Sequence, residues 1–315
     1  MKKIIVCMIL VMSLLTGCGG AGSSGDDGKV KVGYVINNLN DTFQTLVLET
    51  AQNYAKENNI ELLVENSEED TIKQQDVSNS LIQKGVKALI VVPTDTSAMD
   101  PITKAAQEAG IPIAYVNRNP FAGKEDSMPE NVYYVGADEK SGGIMQMEYI
   151  GDLLGGQGGV AVLMGILGNE GALKRTEGVK EAMAEKFPNM ELLAAETGNW
   201  QRDQGLTLTE NYITTYGDKL KAVIANNDEM ALGAIQALKS AGKLDQVKVI
   251  GLDAISDALN SIEAGELSAT VFQDPAQGSA ALEILDKVLK GEKQEEKVTY
   301  IPFKLVTKDN YQEFK

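Results

Sequence analysis

The 315-residue sequence contains no histidine. This absence removes the commonest general base, the Ser-His-Asp triad and the usual zinc ligands together. Catalysis is therefore not the expected activity. Basic residues are also scarce, because 29 Lys and Arg stand against 45 Asp and Glu, for a net charge of −16. Electrostatic binding to nucleic acid or to anionic lipid requires basic patches on the protein, so the acidity argues against both partners. The simplest role of the negative charge is solubility.

Cysteine occurs twice, and both residues lie near the start of the chain, at Cys7 and Cys18. Lys2 and Lys3 give the chain a charged start, residues 4–15 form a short apolar stretch, and small residues follow at 16–17. This order is typical of a secretory signal, and the apolar stretch is too short to span a bilayer comfortably. We therefore predict a signal over residues 1–17. Its removal takes away two lysines and Cys7, which leaves a net charge of −18 and no possible disulfide within the mature chain.

The residues around Cys18 indicate a membrane anchor. The sequence Leu15-Thr16-Gly17-Cys18 resembles the lipobox of bacterial lipoproteins, in which the thiol receives a diacylglycerol and the preceding peptide is removed. Several acyl chains at one site anchor a protein stably where a single chain would not. The alternative is an ordinary signal with a chance cysteine. The lipobox predicts lipidation at Cys18, a location outside the cytoplasm, and a flexible Gly/Ser/Asp-rich tether over residues 18–29.

From Val30 onward, short β-branched runs alternate with amphipathic stretches of helical length. The predicted strands are Val30–Ile36, Ile60–Val64, Ala88–Val92, Ile111–Val116, Val132–Val135, Val160–Met164, Ala222–Ala225, Val247–Gly251 and Ala269–Phe272. Apolar runs of about five residues between helices are typical of parallel sheets covered on both faces. Because the strands number more than six, the pattern predicts an α/β fold with two doubly wound parallel-sheet lobes.

The turns after these strands are polar, and ligands of doubly wound sheets bind at this edge. The turns are residues 37–43, 93–95, 117–120, 226–228, 253–256 and 273–275. They are rich in carboxylate, amide and guanidinium groups, which can bridge neighbouring hydroxyls as sugar recognition requires. No G-x-G-x-x-G opens the first helix, and the glycines of residues 165–171 lack the lysine and Ser/Thr of a phosphate loop.

Individual residues in these turns allow simpler structural roles. Asp41, Asp228 and Asp274 each precede a helical stretch, where aspartate caps free backbone N–H groups. Trp200, the single tryptophan, could be a core residue, although its polar neighbours suggest an exposed turn. Phe43 could be a first-turn core residue, and Arg175 could belong to a solvated face. These alternatives stay open at this point.

Taken in order, the turns resemble those of bacterial periplasmic sugar-binding proteins of the ribose and galactose/glucose type, over residues 30–314. The most specific stretches are Asn117-Arg118, residues 133–138, residues 223–234 and residues 251–254. The closing residues 306–310 with Phe314 are closer to the galactose/glucose members. The resemblance implies two lobes joined by a three-segment hinge, with an N-terminal lobe of residues 30–136 and 274–297 and a C-terminal lobe of residues 137–273 and 298–315.

The resemblance also implies roles for individual residues. Asp41 and Asn117 would bind sugar hydroxyls from the N-terminal lobe, and Arg175, Asn227 and Asp253 from the C-terminal lobe. Phe43 and Trp200 would stack on opposite faces of the ring. The remaining pocket positions would be Arg118, as in the ribose type, and Gln273, where ribose binders also carry glutamine and galactose/glucose binders asparagine.

Two departures from the galactose/glucose type bear on the ligand. A His and an Asp of that type correspond to Asn169 and Gly171 here, and the calcium loop is replaced by residues 155–159, which offer no ligands. We therefore predict no calcium and no cofactor. The expected ligand is a monosaccharide, with galactose or glucose first and ribose, another pentose or inositol as alternatives.

The resemblance predicts a monomeric, lipid-anchored protein that delivers its sugar to the permease of an ABC importer. Sugar sensing for a chemoreceptor or sensor kinase is an alternative use of the same closed state. The sensor domain of a repressor shares the fold, but the signal and the lack of a basic helix-turn-helix segment argue against it. An extracytoplasmic hydrolase using Asp41 and Asp253 as paired carboxylates is the remaining alternative.

Overall fold

The structure, a computed structural model, describes residues 28–315. The predicted signal, the predicted lipidation site Cys18 and most of the tether lie outside the described residues. The strands are β1 (Val30–Ile36), β2 (Ile60–Asn66), β3 (Ala88–Val91), β4 (Ile113–Val116), β5 (Val132–Gly136), β6 (Gly158–Met164), β7 (Met190–Thr197), β8 (Leu220–Ala225), β9 (Lys248–Ile250), β10 (Thr270–Phe272), β11 (Val298–Tyr300) and β12 (Lys304–Val306).

The α-helices alternate with these strands along the chain. They are α1 (Thr42–Glu57), α2 (Thr71–Gln83), α3 (Asp100–Glu108), α4 (Glu139–Leu153), α5 (Glu170–Lys186), α6 (Arg202–Tyr216), α7 (Asp228–Ser240), α8 (Ser256–Glu263) and α9 (Gln277–Leu289). Within residues 28–315, none of the helices has the length and apolar character needed to cross a membrane.

The N-terminal lobe is built on a six-stranded parallel sheet in the order β11-β5-β4-β3-β1-β2. Helices α1 and α9 cover one face, and α2 and α3 cover the other. Strand β1 contributes to both cores, because Tyr34 and Ile36 face the first layer of helices while Val35 faces the second. All three side chains are fully buried, which explains the nearly continuous apolar run of this strand.

The C-terminal lobe contains a four-stranded parallel sheet in the order β7-β6-β8-β9. Helices α4 and α5 pack on one face and α6 to α8 on the other. Ala269, just before β10, forms a parallel bridge with Ile250 of β9, and Phe272 of β10 forms one with Asp253. Strand β10 also pairs antiparallel with β12. The prediction of an α/β fold with two doubly wound lobes is therefore confirmed, with the β10–β12 pair as an antiparallel addition.

The chain passes between the lobes after β5, after β10 and after β11. The last crossing corrects the predicted lobe limits, which placed residues 298–315 in the C-terminal lobe. Val298–Tyr300 pair in parallel with Tyr134–Gly136 of β5, so these three residues form the edge strand of the N-terminal sheet. The third crossing consequently lies between Tyr300 and Lys304. The role of the three crossings as a hinge remains a prediction.

Helices α4 and α5 pack unusually closely, and glycines on both helices make this possible. A Cβ on Gly143 would meet the backbone carbonyl of Arg175, and a Cβ on Gly178 would meet that of Lys140. A larger residue at either position would force the helices apart. The close approach brings Arg175 of α5 beside Glu139 of α4.

Candidate functional site

A cavity lies between the two lobes, at the carboxyl ends of the strands. About 350 Å³ of space there is not filled by protein atoms, and part of this space is open to solvent. The lining residues come from turns and helix starts in both lobes: Asp41, Phe43, Gln44, Asn117, Arg118, Glu139, Asn169, Gly171, Arg175, Trp200, Asn227, Asp253 and Gln273. All nine residues that the sequence analysis selected are in this set. The structure therefore brings them together around one space. Their binding of a ligand there remains a prediction.

On the N-terminal side, Asp41 both caps α1 and lines the cavity. Its Oδ1 accepts a hydrogen bond from the backbone N–H of Gln44 at 3.1 Å, so the capping alternative also holds. Gln44 Nε2 donates to Asn117 Oδ1 at 2.7 Å, and Asn117 Nδ2 donates to Gln277 at 3.3 Å. Asn117 has a left-handed backbone, with φ 68°, which asparagine tolerates better than most residues. This network orients the wall of the cavity.

Arg118 is buried beside Asn117, with 2 % of its surface exposed. Its guanidinium donates to the carbonyl of Pro93 at 2.8 Å and forms an ion pair with Glu69 at 3.4 Å. The positive charge of Arg118 is therefore partly balanced by Glu69, which lies outside the cavity wall.

Arg175 forms the centre of a network on the C-terminal side. Its Nε donates to Glu139 Oε2 at 2.5 Å, one NH group donates to the carbonyl of Asn226 at 2.6 Å, and the other donates to Gln273 Oε1 at 3.1 Å. Gln273 Nε2 in turn donates to the other oxygen of Glu139 at 3.3 Å. Arg175 is 5 % exposed, so the suggestion that it lies on a solvated face is wrong. Burial alone would lower the pKa of Arg175, but the charge of Glu139 raises it.

Asp253 projects into the cavity from the loop after β9. Its φ of 131° is in the region that favours glycine, and strain of this kind persists where the surrounding structure fixes it. Asp253 is 7 % exposed, and within residues 28–315 its carboxylate has no hydrogen-bond partner and no cation within 4.0 Å. Burial, followed by the charge of nearby Asp228, raises the pKa of Asp253 well above its ordinary value. The group is positioned without a partner in the protein.

Asn227 caps α7, since its Oδ1 accepts from the backbone N–H of Met230 at 3.0 Å. Its Nδ2 donates to the carbonyl of Trp200 at 3.2 Å. The suggestion that Asp228 caps this helix is therefore wrong. Asp228 is the first helical residue, is fully buried, and accepts from the hydroxyl of Thr270 and the backbone N–H of Ile255. Its role is to tie α7 to the loops behind the cavity.

The two aromatic rings of the predicted site occupy different environments. Phe43 is 5 % exposed and belongs to the N-terminal core as well as to the cavity wall. Trp200 is half-buried, contacts Gly165 and lies 5.7 Å from the Arg175 guanidinium by ring centroid. Its Nε1 is buried without a hydrogen-bond partner among the described residues. A Trp with an unpartnered N–H at a cavity is suited to receive a polar ligand.

Sequence reasoning did not select Glu139 or Gln44. The signal for Glu139 was available, because it begins the helix that follows β5, in the same position as the other turn residues. Its side chain also lies beside Gly171. The carboxyl carbon of Glu139 lies 3.5 Å from where a Cβ on Gly171 would lie. A carboxylate is therefore present beside Gly171, supplied from α4 rather than from α5.

The site offers no arrangement for a metal ion. Within residues 28–315, no group of three or more His, Cys, Asp or Glu side chains has a geometry that could hold one. The carboxylate of Glu139 faces the guanidinium of Arg175 and the amide of Gln273 instead. The arrangement is suited to hydrogen bonding with a polar organic ligand.

Comparisons with known proteins agree on one family for this chain. Residues 32–293 match the model of the periplasmic binding protein domain. A putative rhizopine-binding protein of Rhizobium meliloti is 43 % identical over 88 % of this chain and 89 % of its own. The ribose import binding protein of Bacillus subtilis is 33 % identical over 97 % of this chain and 99 % of its own.

Solved structures agree with these relatives. The chain superposes with a TM-score of 0.84 on an ABC transporter solute-binding protein of Bacillus halodurans that has myo-inositol bound. The two sequences are 34 % identical, and the match covers 92 % of this chain and 99 % of the other.

Proposed function

Since the chain belongs to the periplasmic binding protein family, and within it to the sugar-binding proteins of ABC transporters, we propose that it captures one small polyol in the cavity between its lobes and delivers it to an importer. Members of this family bind their substrates without transforming them, so the chain is not an enzyme and the hydrolase alternative is discarded. The observation that carries the proposal is the buried polar cavity, whose lining combines carboxylates, amides and guanidiniums with two aromatic rings.

The lining suits a ring-shaped or short polyol. Planar polar groups can each serve two neighbouring hydroxyls, and Phe43 with Trp200 offers apolar surface for C–H faces. Residues of both lobes surround one small cavity, which favours a monosaccharide or a molecule of similar size. We propose direct contacts from Asp41, Asn117, Arg118, Arg175, Asn227, Asp253 and Gln273.

The identity of the polyol is open among the candidates that the sequence suggested. Galactose or glucose has weaker support than the alternatives, because a galactose-binding relative in Haemophilus influenzae is 30 % identical, whereas the ribose-binding protein of Escherichia coli is 36 % identical. The relatives named for rhizopine, xylitol and ribose, and the structure with myo-inositol, favour a ribose-like or inositol-like ligand.

The family implies an extracytoplasmic location, and we propose that a lipid at Cys18 holds the protein at the membrane beside its permease. The residue precedes the described part of the chain, so its sequence context alone supports this anchor. A monomer acting with one permease is the proposed state. The alternative function is sugar sensing, in which the closed form binds a chemoreceptor or sensor kinase.

A thermal-shift screen tests the proposal directly. The mature protein, produced from Cys18→Ser to avoid lipidation, is heated with ribose, xylitol, galactose, glucose and inositols, and with leucine as a non-polyol control. A ligand that binds only the native state raises the melting temperature, by an amount that grows with its concentration. At least one polyol should do so and leucine should not. A melting temperature unmoved by every polyol at millimolar concentration would contradict the proposed function.

A further inference from the structure

The backbone at Asn117 is strained at the point where its side chain enters the cavity wall. The N–H of Arg118 donates to the carbonyl of Val116 at 2.8 Å, and the φ of Asn117 is 68°. A hydrogen bond between residues two apart, around a residue with a positive φ, forms a γ-turn of the rare and strained kind. Strained conformations persist only where the surrounding structure fixes them. The groups that fix this turn therefore determine where the Asn117 side chain lies.

Strand β5 supports the turn through two hydrogen bonds. The N–H of Asn117 donates to the carbonyl of Val135 at 2.9 Å, and the carbonyl of Asn117 accepts from the hydroxyl of Tyr134 at 3.0 Å. Within residues 28–315, no other donor bonds to this carbonyl. The first bond continues the pairing of β4 with β5, whereas the second comes from a side chain. The Tyr134 hydroxyl is thus the part of the support that a substitution can remove without disturbing the sheet.

The path of the Tyr134 ring depends on a glycine two residues further along β5. Residues 134 and 136 lie on the same face of the strand, because side chains alternate. A Cβ on Gly136 would overlap the hydroxyl oxygen of Tyr134. The ring therefore lies along the strand, over Gly136, with its hydroxyl at Asn117. A larger residue at position 136 would displace the hydroxyl from the carbonyl.

Tyr134 is itself held in place between two of the chain crossings. It is fully buried, its N–H donates to the carbonyl of Lys297 at 2.8 Å, and its ring meets that of Tyr300 edge-on with the centroids 6.0 Å apart. Strand β5 leads into the first crossing and Tyr300 precedes the third. Burial, followed by the charges of Glu170 and Glu139, raises the pKa of Tyr134 well above its ordinary value, so the hydroxyl keeps its proton and remains a donor.

We propose that Tyr134 is a positioning residue for the cavity: its hydroxyl holds the carbonyl of Asn117 and thereby fixes the direction in which the Asn117 side chain meets a bound ligand. This inference rests on the proposed function, because it concerns the same cavity, but it does not depend on which polyol binds. Tyr134 is not among the residues that line the cavity, so it acts through Asn117 and not by contact.

Loss of the hydroxyl should release the strained turn. The buried carbonyl of Asn117 would have no donor, and an unpaired buried carbonyl is costly. The peptide between Asn117 and Arg118 should then rotate, which lets Asn117 return to an unstrained backbone. Its side chain would leave the positions in which it now bonds to Gln44 and Gln277.

Two matched variants separate positioning from a merely structural role. Tyr134→Phe removes the hydroxyl and keeps the ring. Tyr115→Phe is the control, because Tyr115 lies opposite Tyr134 on β4, is equally buried, and bonds through its hydroxyl to Thr103 at 2.6 Å, outside the cavity lining. Each variant loses a buried hydroxyl and should lose similar stability in urea denaturation.

Calorimetry with ribose and with myo-inositol measures the effect on binding. For either compound that the wild type binds, Tyr134→Phe should weaken binding about tenfold, because one polar contact loses its orientation. Tyr115→Phe should change the affinity by less than about twofold, since it is remote from the cavity. Wild-type affinity in Tyr134→Phe would overturn the inference, and so would equal losses of affinity in the two variants.

Crystal structures of the two variants without ligand test the support of the turn directly. In Tyr134→Phe the φ of Asn117 should leave the positive region, while in Tyr115→Phe it should stay near 68°. An unchanged turn in Tyr134→Phe would overturn the inference whether or not either compound binds.

The failures of the two proposals are distinguishable. If polyols bind the wild type and Tyr134→Phe alike, the present inference is overturned and the proposed function stands. If no polyol of the thermal-shift screen binds the wild type, the proposed function is overturned and the role of Tyr134 in binding falls with it.

Discussion

The hydroxyl of Thr42, the first residue of α1 in the N-terminal lobe, donates a hydrogen bond of 2.9 Å to the carboxylate of Glu229 on α7 of the C-terminal lobe. On the other side of the cleft, the backbone N–H of Thr96 donates to the carbonyl of Gly168 at 3.4 Å. The two lobes therefore touch at the rim of the cavity. The structure represents the arrangement in which a ligand would be enclosed.

We expect a ligand to close the two lobes about the three chain crossings. Three parallel connections restrict relative motion to bending and twisting, and a few residues at the ends of elements absorb it. Solution scattering should therefore give a smaller radius of gyration with a saturating ligand from the screen than without it. Equal radii in both states would rule out hinge closure.

The contact between Thr42 and Glu229 should favour the closed state. Thr42→Val preserves the shape of the side chain and removes its hydrogen bond, and an exposed bond of this kind contributes about 0.5–1 kcal/mol. Ligand affinity should fall about two- to fivefold, measured by calorimetry. Thr214→Val removes an exposed bond within α6, away from the cleft, and serves as the control. Equal affinities for both variants would show that the rim contact does not contribute to closure.

Trp200 is expected to be a platform for the ligand. Trp200→Ala should weaken binding by about 2 kcal/mol or more while the fold stays intact, as for aromatic residues that anchor ligands in dry pockets. A purely structural Trp would instead cost about 3–5 kcal/mol of folding free energy. Calorimetry and chemical denaturation of the same variant separate the two outcomes. A variant that unfolds far more easily and still binds normally would contradict the assignment.

Much of this site follows from the order of strands and turns. Parallel strands align their carboxyl ends, so polar turns after successive strands had to meet, and nine selected residues surround one cavity. Strand β7 was not predicted, because it is an edge strand whose residues are mostly half-buried and include Glu191 and Glu196. Strand β11, three residues long at the other sheet's edge, was missed for the same reason, which displaced the predicted third crossing.

Side-chain partnerships were less accessible from the sequence. The role of Glu139 depends on Arg175, 36 residues further along the chain, and on the glycines that let α4 and α5 approach. Asn227 and Asp228 are adjacent, and only the packing of α7 decides that the first caps the helix while the second is buried behind it. Periodicity predicts which face a residue occupies and does not predict its partner.

Glu170 should make the stability of the protein depend on pH. It begins α5, and burial, followed by the charge of Glu139, raises its pKa from 4.5 to about 8. The folded protein thus holds this proton more tightly than the unfolded chain. The resulting stabilisation is complete below about pH 4.5 and is lost as the pH rises through about 8.

Glu170→Gln removes that titration. Between pH 5 and pH 9, the free energy of unfolding of the variant should decline less than that of the wild type. Urea denaturation at several pH values measures this difference. The two limits bracket the pKa of about 8. Burial raises the pKa of Asp228 to about 7, but this group contributes equally to both proteins and cancels in the comparison. Glu191→Gln, at an exposed position, should follow the wild type. Parallel curves for Glu170→Gln and the wild type would disprove the assignment.

The strongest effect on binding is expected at Asp253, with a smaller one at Asn227. Both lie at the ends of strands in the C-terminal lobe and line the cavity, but Asp253 is unpartnered whereas Asn227 already bonds to Met230 and Trp200. A lost charge-assisted bond in a buried site costs more than a lost neutral one. Asp253→Ala should weaken binding about a hundredfold and Asn227→Ala somewhat less. Asn227→Ala should also lower the melting temperature, because it removes a helix cap worth about 1 kcal/mol. Calorimetry with the best ligand decides the matter: wild-type affinity in Asp253→Ala would remove Asp253 from the binding site.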